Sequence, residues 1–521
     1  MLNADVVVLS ASIVTFNPAQ PKAEALAVRN GRIVAVGSNA EIRSYVGDET
    51  KVIDVGGKTV VPGLVDCHVH MTGFGWHLQT LDLCGVNSIE EMKQEIREYT
   101  MENPEKSWVL GGRWDHEKFV EKRYPTRWDL DEAVSHKPVF LIRVCGHVGV
   151  ANTKALELAG VGKDTAVKGG KVDVDEVSGE PNGILRENAL ELVWRAVPKP
   201  SVAELEEACI QACRKAVENG LTGVHWIVDS AEELRLLQKL CKEWKLPLRV
   251  YLGVPAKLLD TIVKLGLASG FGNEMLKLGF IKVFVDGSLG ARTAALRKPY
   301  SDKPETYGML LLSQRKLNKL VLKAHRAGWQ LAVHAIGDKA IESTLKAFAN
   351  ALKKHPRENH RHRIEHCSVL DPKLIRKMRR LNLIASVQPH FVFSDFWVME
   401  RVGAERARWV YPFKTLLKEG VVIASGSDCP VEPISPLLGI WAATTRKDFL
   451  EENLTVEEAL RTYTVNAAYA SFEEDEKGTI EVGKFADITV LSDDLLSIPP
   501  EKIREVKVEM TVVGGKIVYK K

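Results

Sequence analysis

An α/β fold built around a (β/α)8 TIM-type barrel, carrying a small β-sandwich domain made from both chain termini, is what three features of this 521-residue sequence predict. Eight short apolar runs recur through the middle of the chain, β-like segments fill both ends, and one gap between successive runs is far too long for a loop.

The runs are TVVPGLVDCH, LTGVHWIVD, LRVYLGV, FIKVFVDG, LAVHAIG, RIEHC, IASVQPH and VVIASGSD. Amphipathic stretches at 202–219, 231–244, 313–327, 338–353 and 371–381 separate most of them, as parallel crossovers require. Run one ends at residue 68 and run two begins at 221, so residues of about 75–200 read as an insertion over the barrel mouth. Residues 1–60 (DVVVLSASIVTF, EALAVRNGRIVAVG, KVIDVGG) and 475–521 (GTIEVGKFADITVL, VEMTVVGGKIVY) alternate apolar segments with Gly and Asn turns. They form one composite β domain around a barrel of residues 61–474.

A hydrophobic content of 45%, a charged content of 27% and a net charge of +3 describe an ordinary globular protein without the basic excess of a nucleic-acid binder. No apolar run is long enough to cross a bilayer. The first residues carry acidic Asp5 and no basic lead-in, so they read as strands rather than a signal peptide. Eight cysteines (67, 84, 145, 209, 213, 241, 367, 429) are scattered without CxxC pairs, which fits a reduced, cytoplasmic chain. The expected partner is a small-molecule substrate, not nucleic acid or membrane, and a homodimer is open.

His68-x-His70, Lys282, His334, His366 and Asp428 each fall at or just after the end of an apolar run. Alternate side chains of a strand share a face, so His68 and His70 can close on one metal ion. Barrel strands converge at their C-terminal ends, which brings the whole set together. Imidazole-rich ligation favours zinc. The bland alternatives are a core histidine at His70, a lysine salt-bridged near Asp286 at Lys282, and a helix cap before Pro430 at Asp428.

Weaker candidates surround this set. Asp286, Ser288 and Arg292 in DGSLGART (286–293) could orient substrate or form a glycine-rich turn with an ion pair. His147 with Asn152, and Trp114 with Asp115 and His116, could line the pocket from the inserted region. Gln388 and His390 close run seven and face the site, and His225 follows the same logic at run two. His355, His360 and His362 lie in a charged loop and read as solvated. VGGKT (55–59) has Val52 where a phosphate loop needs its first glycine, and neither HExxH nor GxSxG occurs.

Through VPGLVDCHVH, GGRWDHEKF, RVCGHVGVANTKAL, SGEPNGILRE, IKVFVDGSLGARTAAL, HAIGDKA, RIEHC, QPHF and SGSDCPV, the chain resembles the amidohydrolase superfamily over nearly its whole length. Within it, the likeness is to the YtcJ-like metal-dependent hydrolases of amidohydrolase family 3. The resemblance implies His68 and His70 on a first metal, His334 and His366 on a second, and Asp428 binding metal and carrying protons. Lys282 falls where many relatives carry a carboxylated, metal-bridging lysine. An ammonium cannot ligate a cation, so Lys282 enters the site only as a neutral amine or a carbamate.

One or two divalent ions, about 3.5–4 Å apart if paired, would activate water, with Asp428 as general base and then general acid. The expected reaction is hydrolysis of a C–N bond in an amide, N-formyl compound or cyclic amide. The alternatives are a deaminase or isomerase on the same scaffold, or a non-catalytic ligand-binding relative. Strand alternation turns Glu365 away from His366, which argues against a deaminase using that carboxyl.

Overall fold

The computed structural model describes residues 3–144, 146, 148–167, 170–199 and 201–521. Eight parallel strands form one sheet in sequential order. They are β1 (Leu64–Val69), β2 (Leu221–Ile227), β3 (Arg249–Pro255), β4 (Leu276–Phe284), β5 (Gln330–Ala335), β6 (Arg363–His366), β7 (Ile384–Val387) and β8 (Val422–Ser425). The expected barrel is therefore present. Its crossovers include helices Val202–Glu218, Ala231–Lys242, Gln314–Arg326, Asp338–Lys354 and Pro372–Arg380, at the places the apolar periodicity gave. Ser230, Ser313 and Asp371 start three of them, each side chain accepting a backbone N–H of the first turn.

The first apolar run divides between two sheets. Thr59–Pro62 pairs antiparallel with Ile488–Leu491 in a terminal sheet, and β1 begins only after Gly63. A Cβ at Gly63 would lie 2.1 Å from the Thr222 hydroxyl, so the chain crosses between the sheets only where no side chain exists. The six-stranded terminal sheet draws strands from both chain ends, and a four-stranded sheet comes from the N-terminal end alone. Val8, Leu26 and Ile53 of the smaller sheet pack with Ile13, Val60, Ile488 and Met510 of the larger, which makes the pair a sandwich.

Gly73–Gln211 forms a separate compact unit. Its six-stranded mixed sheet runs in the order Gly170–Val174, Pro181–Glu187, Val148–Ala151, Val139–Arg143, Val109–Trp114, Leu81–Asp82. Met92, Ile96, Leu130 and Leu141 belong to its core.

A buried ion pair ties the barrel to the sandwich. Arg249 at the start of β3 donates from Nε (2.7 Å) and Nη2 (3.0 Å) to the two oxygens of Asp487, and both side chains are 4% exposed. The guanidinium also lies over the Phe485 ring at 3.7 Å. Asp487→Ala leaves a buried guanidinium without its counter-charge and should cost about 3–5 kcal/mol in denaturant unfolding. The double change Arg249→Met with Asp487→Leu should recover most of that loss; equal destabilisation by both variants would refute this account of the pair.

The histidines of the charged loop correct an expectation. His355 is exposed, but His360 and His362 are buried. His362 Nδ1 accepts the Leu331 N–H (3.1 Å), so its Nε2–H donates to His325 Nδ1 (2.9 Å), and His325 Nε2–H donates to the His355 carbonyl (2.7 Å). His360 accepts the His362 N–H at Nδ1 and donates from Nε2 to the Leu381 carbonyl, each at 3.0 Å. Burial lowers the His360 pKa from 6.5 to about 4. Such a group binds its proton on unfolding, so its contribution is present above pH 6.5 and is lost as the pH falls towards 4. The stability advantage of wild type over His360→Gln should shrink across that window in paired thermal melts.

Candidate metal centre

β1 points Asp66, His68 and His70 to the barrel interior, while Cys67 packs outward with Ile384, Ala424 and Ala467. Asp66 closes the seam between β1 and the end of β8. Its Oδ1 accepts the N–H groups of His68 and Ser427, both at 3.0 Å, and its Oδ2 accepts the Ser427 hydroxyl at 2.5 Å. Burial lifts this carboxyl to a pKa of about 6 against those hydrogen bonds. A Cβ at Gly426 would stand 2.5 Å from the His68 nitrogen and 2.6 Å from Asp66 Oδ1, so only glycine permits the approach. Beyond it the Asp428 N–H donates to the His68 carbonyl (2.7 Å) and the His70 N–H to the Cys429 carbonyl (2.9 Å).

Asp428 adopts a left-handed backbone (φ 59°), which turns its carboxylate inward. One oxygen lies 3.3 Å from His68 Nε2 and 3.4 Å from His70 Nε2. Ligand atoms of these three residues fall within 4.8 Å of one another. Burial works to raise the Asp428 pKa, but the neighbouring His68 and His70 outweigh it and hold the group well below the ordinary carboxylate range.

His68 is fully buried and its Nδ1 faces Glu365 Oε2 at 2.5 Å. Glu365 also accepts from Arg363 Nε (2.8 Å) and Nη2 (2.9 Å), and neither residue has any exposure. This corrects the expectation for Glu365. Arg363 and Glu365 are the inward pair of β6, and His366 joins the same side because it and Cys367 leave the strand in left-handed conformations (φ 67° and 51°). Glu365 is locked by two partners beneath the site, so a deaminase role for it is opposed by engagement rather than by direction.

His334 at the end of β5 and His366 have ring centroids 4.5 Å apart, and His366 lies 4.8 Å from His68. His334 Nε2 donates to the Gly287 carbonyl at 3.1 Å, and His366 Nδ1 to Gln388 Oε1 at 2.8 Å. Burial depresses the His334 pKa to about 3, so the ring is neutral. In His68, His334 and His366, one nitrogen is held by a fixed acceptor, which leaves the other as a lone-pair donor. This is the arrangement by which proteins orient imidazole towards a metal. The donor set fits a divalent ion. Lys282 is buried with Nζ 3.0 Å from His68 Nε2, and burial lowers its pKa to about 8. That shift brings a neutral amine within reach near neutral pH.

Several second-rank candidates have their side chains engaged by other groups. Trp114 is fully buried in the core of the Gly73–Gln211 unit, its indole N–H on the Leu141 carbonyl (3.1 Å), which corrects its reading as a substrate contact. Asp115 pairs with Arg143 at 2.6 Å and His116 stacks on Tyr124. Asn152 caps helix Thr153–Leu158. Asp286 accepts the N–H groups of Ala295, Ile336 and Gly337, which fastens the loop after β4 to the end of β5, and its Oδ1 lies 3.6 Å from His334 Nε2. Ser288 accepts the Ala291 N–H in that turn. Arg292 is consumed by Asp302 through Nε (3.1 Å) and Nη2 (2.6 Å). His225 is a core residue accepting from Arg363 Nη1. His390 pairs with Glu432 and stays partly exposed. Gln388 Oε1 accepts from His366 Nδ1, which sets this side chain beside the candidate ligands. His147 lies outside the described residues.

A parallel barrel whose C-terminal rim gathers four imidazoles, a carboxylate and a buried amine has the architecture of the metal-dependent hydrolases. Residues 51–519 match the amidohydrolase family, and the chain belongs to it. It is 37% identical to a Bacillus subtilis (strain 168) protein named YtcJ and classed as an amidohydrolase, over 96% of each chain. It is 28% identical to the N-substituted formamide deformylase of Arthrobacter pascens, over 99% of this chain and 98% of that one. The solved structure of an uncharacterized metal-dependent hydrolase from Pyrococcus furiosus is 33% identical, with a TM-score of 0.81 over 94% of this chain and all of that one.

Asp66, Arg363 and Gly426 were not among the residues singled out from the sequence, and Glu365 was named there only to be set aside. Asp66 alone had a visible signal, since it precedes His68 by two positions on the same strand face. Glu365→Gln preserves shape but removes the anion that orients His68. It should weaken metal affinity about 10–100-fold in chelator competition, and unchanged affinity would remove its orienting role.

Proposed function

We propose that this protein hydrolyses the C–N bond of an amide, N-formyl compound or cyclic amide, and that Asp428 carries the proton. The observation that supports this most is the convergence of His68 Nε2, His70 Nε2 and one Asp428 oxygen within hydrogen-bonding distances, ringed by His334, His366 and Lys282. A divalent ion held by those residues, zinc being favoured by the imidazoles, supplies a polarising charge and lowers the pKa of water.

The chain's own groups do the rest. Asp428 is ionised across the physiological range, so one of its oxygens can accept the proton of the attacking water and hand it to the departing nitrogen. Gln388 Nε2 is buried with no hydrogen-bond partner among the described residues, a donor suited to the substrate's carbonyl oxygen as negative charge develops there. The neutral Lys282 amine, having added CO2 and lost a proton, would be an anionic carbamate that with His334 and His366 could help hold a second divalent ion. The likeness to an N-substituted formamide deformylase supports N-formyl amines as the first compounds to test. Among the described residues no helix is long and apolar enough to cross a membrane; a cytoplasmic site of action on small molecules is part of the proposal itself.

With zinc-loaded protein and a panel of N-formyl amines, N-acyl amines and cyclic amides, Asp428→Asn should lower kcat about 10²–10⁴-fold without changing the circular dichroism. His334→Ala should also abolish turnover while the fold persists. Absence of C–N cleavage across the panel, or wild-type rates in either variant, would overturn the reading. Elemental analysis with native intact mass tests the paired site, where about two ions plus an added carboxyl are expected and one ion without added mass would demote Lys282.

A further inference from the structure

The rim of the barrel beside the candidate metal centre is apolar and solvated. Lys282 and Phe284 are two residues apart on β4 and share a face, so Phe284 stands one step further out than the buried lysine. Its ring is 45% exposed, yet it lies 5.2 Å from the His334 ring and 4.9 Å from Lys282 Nζ. The chain returns alongside it. The Leu311 N–H donates to the Val285 carbonyl (2.8 Å), which sets Leu311 beside the end of β4, and two residues earlier the Met309 N–H donates to the Thr293 carbonyl of the loop that follows β4 (3.1 Å). Met309 is 54% exposed and Leu311 52% exposed, and the segment 307–312, YGMLLL, carries no charge.

Single exposed apolar residues need no explanation, but an exposed Phe284 against His334 and Lys282, with exposed Met309 and Leu311 on the segment that returns past Val285, does. Burial of such a surface by a ligand gains free energy in proportion to the apolar area removed from water, and the missing charge makes an ionic group unwelcome there. We infer that Phe284, Met309 and Leu311 form a substrate subsite that takes an uncharged apolar substituent, aryl or branched alkyl, of an N-substituted amide. The inference rests on the hydrolytic reading and narrows its substrate class. A second copy of the chain is the other occupant such a surface could have. The continuity of the lip with His334 and Lys282 through Phe284 favours substrate, because an interface between copies would cap the site itself.

The test compares N-benzylformamide with N-methylformamide on zinc-loaded wild type, Phe284→Ala and Phe284→Leu. Wild type should favour the benzyl compound in kcat/KM by at least about ten-fold. In Phe284→Ala that ratio should collapse towards unity, chiefly through KM, and Phe284→Leu should restore part of it. An unchanged ratio in Phe284→Ala, or a wild-type preference for the methyl compound, overturns the subsite. Failure to hydrolyse either compound would count against the hydrolytic reading alone. The subsite is then read by calorimetric binding of N-benzylformamide, where ten-fold weaker binding to Phe284→Ala supports it and equal binding refutes it. Light scattering of wild type and Leu311→Asp separates the other occupant, since dissociation of a dimer by that change would also overturn the assignment.

Discussion

The chain Arg363–Glu365–His68 is the constraint on which the rest of the centre depends. Moving two charges out of water into a barrel interior is expensive, and mutual attraction repays it only when geometry is good and the remaining donors are used. Here they are used. Arg363 donates to Glu365 twice, to the Cys67 carbonyl and the Ser386 hydroxyl, and to His225. Burial works to raise the Glu365 pKa, but Arg363 and His68 outweigh it and keep the carboxyl ionised. As an anion it fixes the Nδ1–H tautomer of His68, so Nε2 is presented to the rim. A hydrophobic plug of equal volume would fill the barrel as well, but it would not orient an imidazole.

Backbone geometry supplies the second half of the arrangement. Regular strands deliver every other side chain to the interior, which is enough for Asp66, His68 and His70 on β1 and for Lys282 and Phe284 on β4. It cannot bring Glu365 and His366 to the same side. A left-handed conformation at His366 does so, and another at Asp428 turns its carboxylate inward, each at a cost of about 1–3 kcal/mol that the surrounding hydrogen bonds must offset. At the seam, Asp66 replaces ladder hydrogen bonds that β1 and β8 do not complete, and the bare Cα of Gly426 lets the two strand ends approach. Strain and close approach therefore concentrate where the side chains must converge.

This also explains what the sequence disclosed. The barrel was legible because eight apolar runs and five amphipathic helices follow periodicities of two and 3.6 that packing enforces. The histidines and Asp428 were legible because strand ends are where barrels place reactive groups. Glu365 was misread because alternation assumes a regular strand up to His366, and a positive φ leaves no mark in a His-Cys pair. His360 and His362 were misread because charged neighbours suggest solvent, whereas backbone donors and acceptors from Leu331 and Leu381 satisfy both rings. Trp114 and Arg292 sit in motifs that looked reactive, but their partners, Leu141 and Asp302, come from elsewhere in the chain and only the fold reveals them.

The charge balance of the centre links its occupancy to protonation. With Nδ1–H committed to Glu365, His68 Nε2 stands 3.3 Å from an Asp428 oxygen. Two acceptors at that distance need positive charge between them. Lys282 Nζ, 3.0 Å from the same nitrogen, can supply it as an ammonium, and a proton on the imidazole can supply it as well. A divalent ion supplies the same charge in a form that the lone pairs can bind. Because burial has already brought Lys282 down to about 8, exchanging its proton for a cation is less costly here than at a surface lysine. The burial that makes Lys282 a poor ammonium thus leaves the rim of β1, β4 and β8 with an amine that gives up its proton more readily than a surface lysine does.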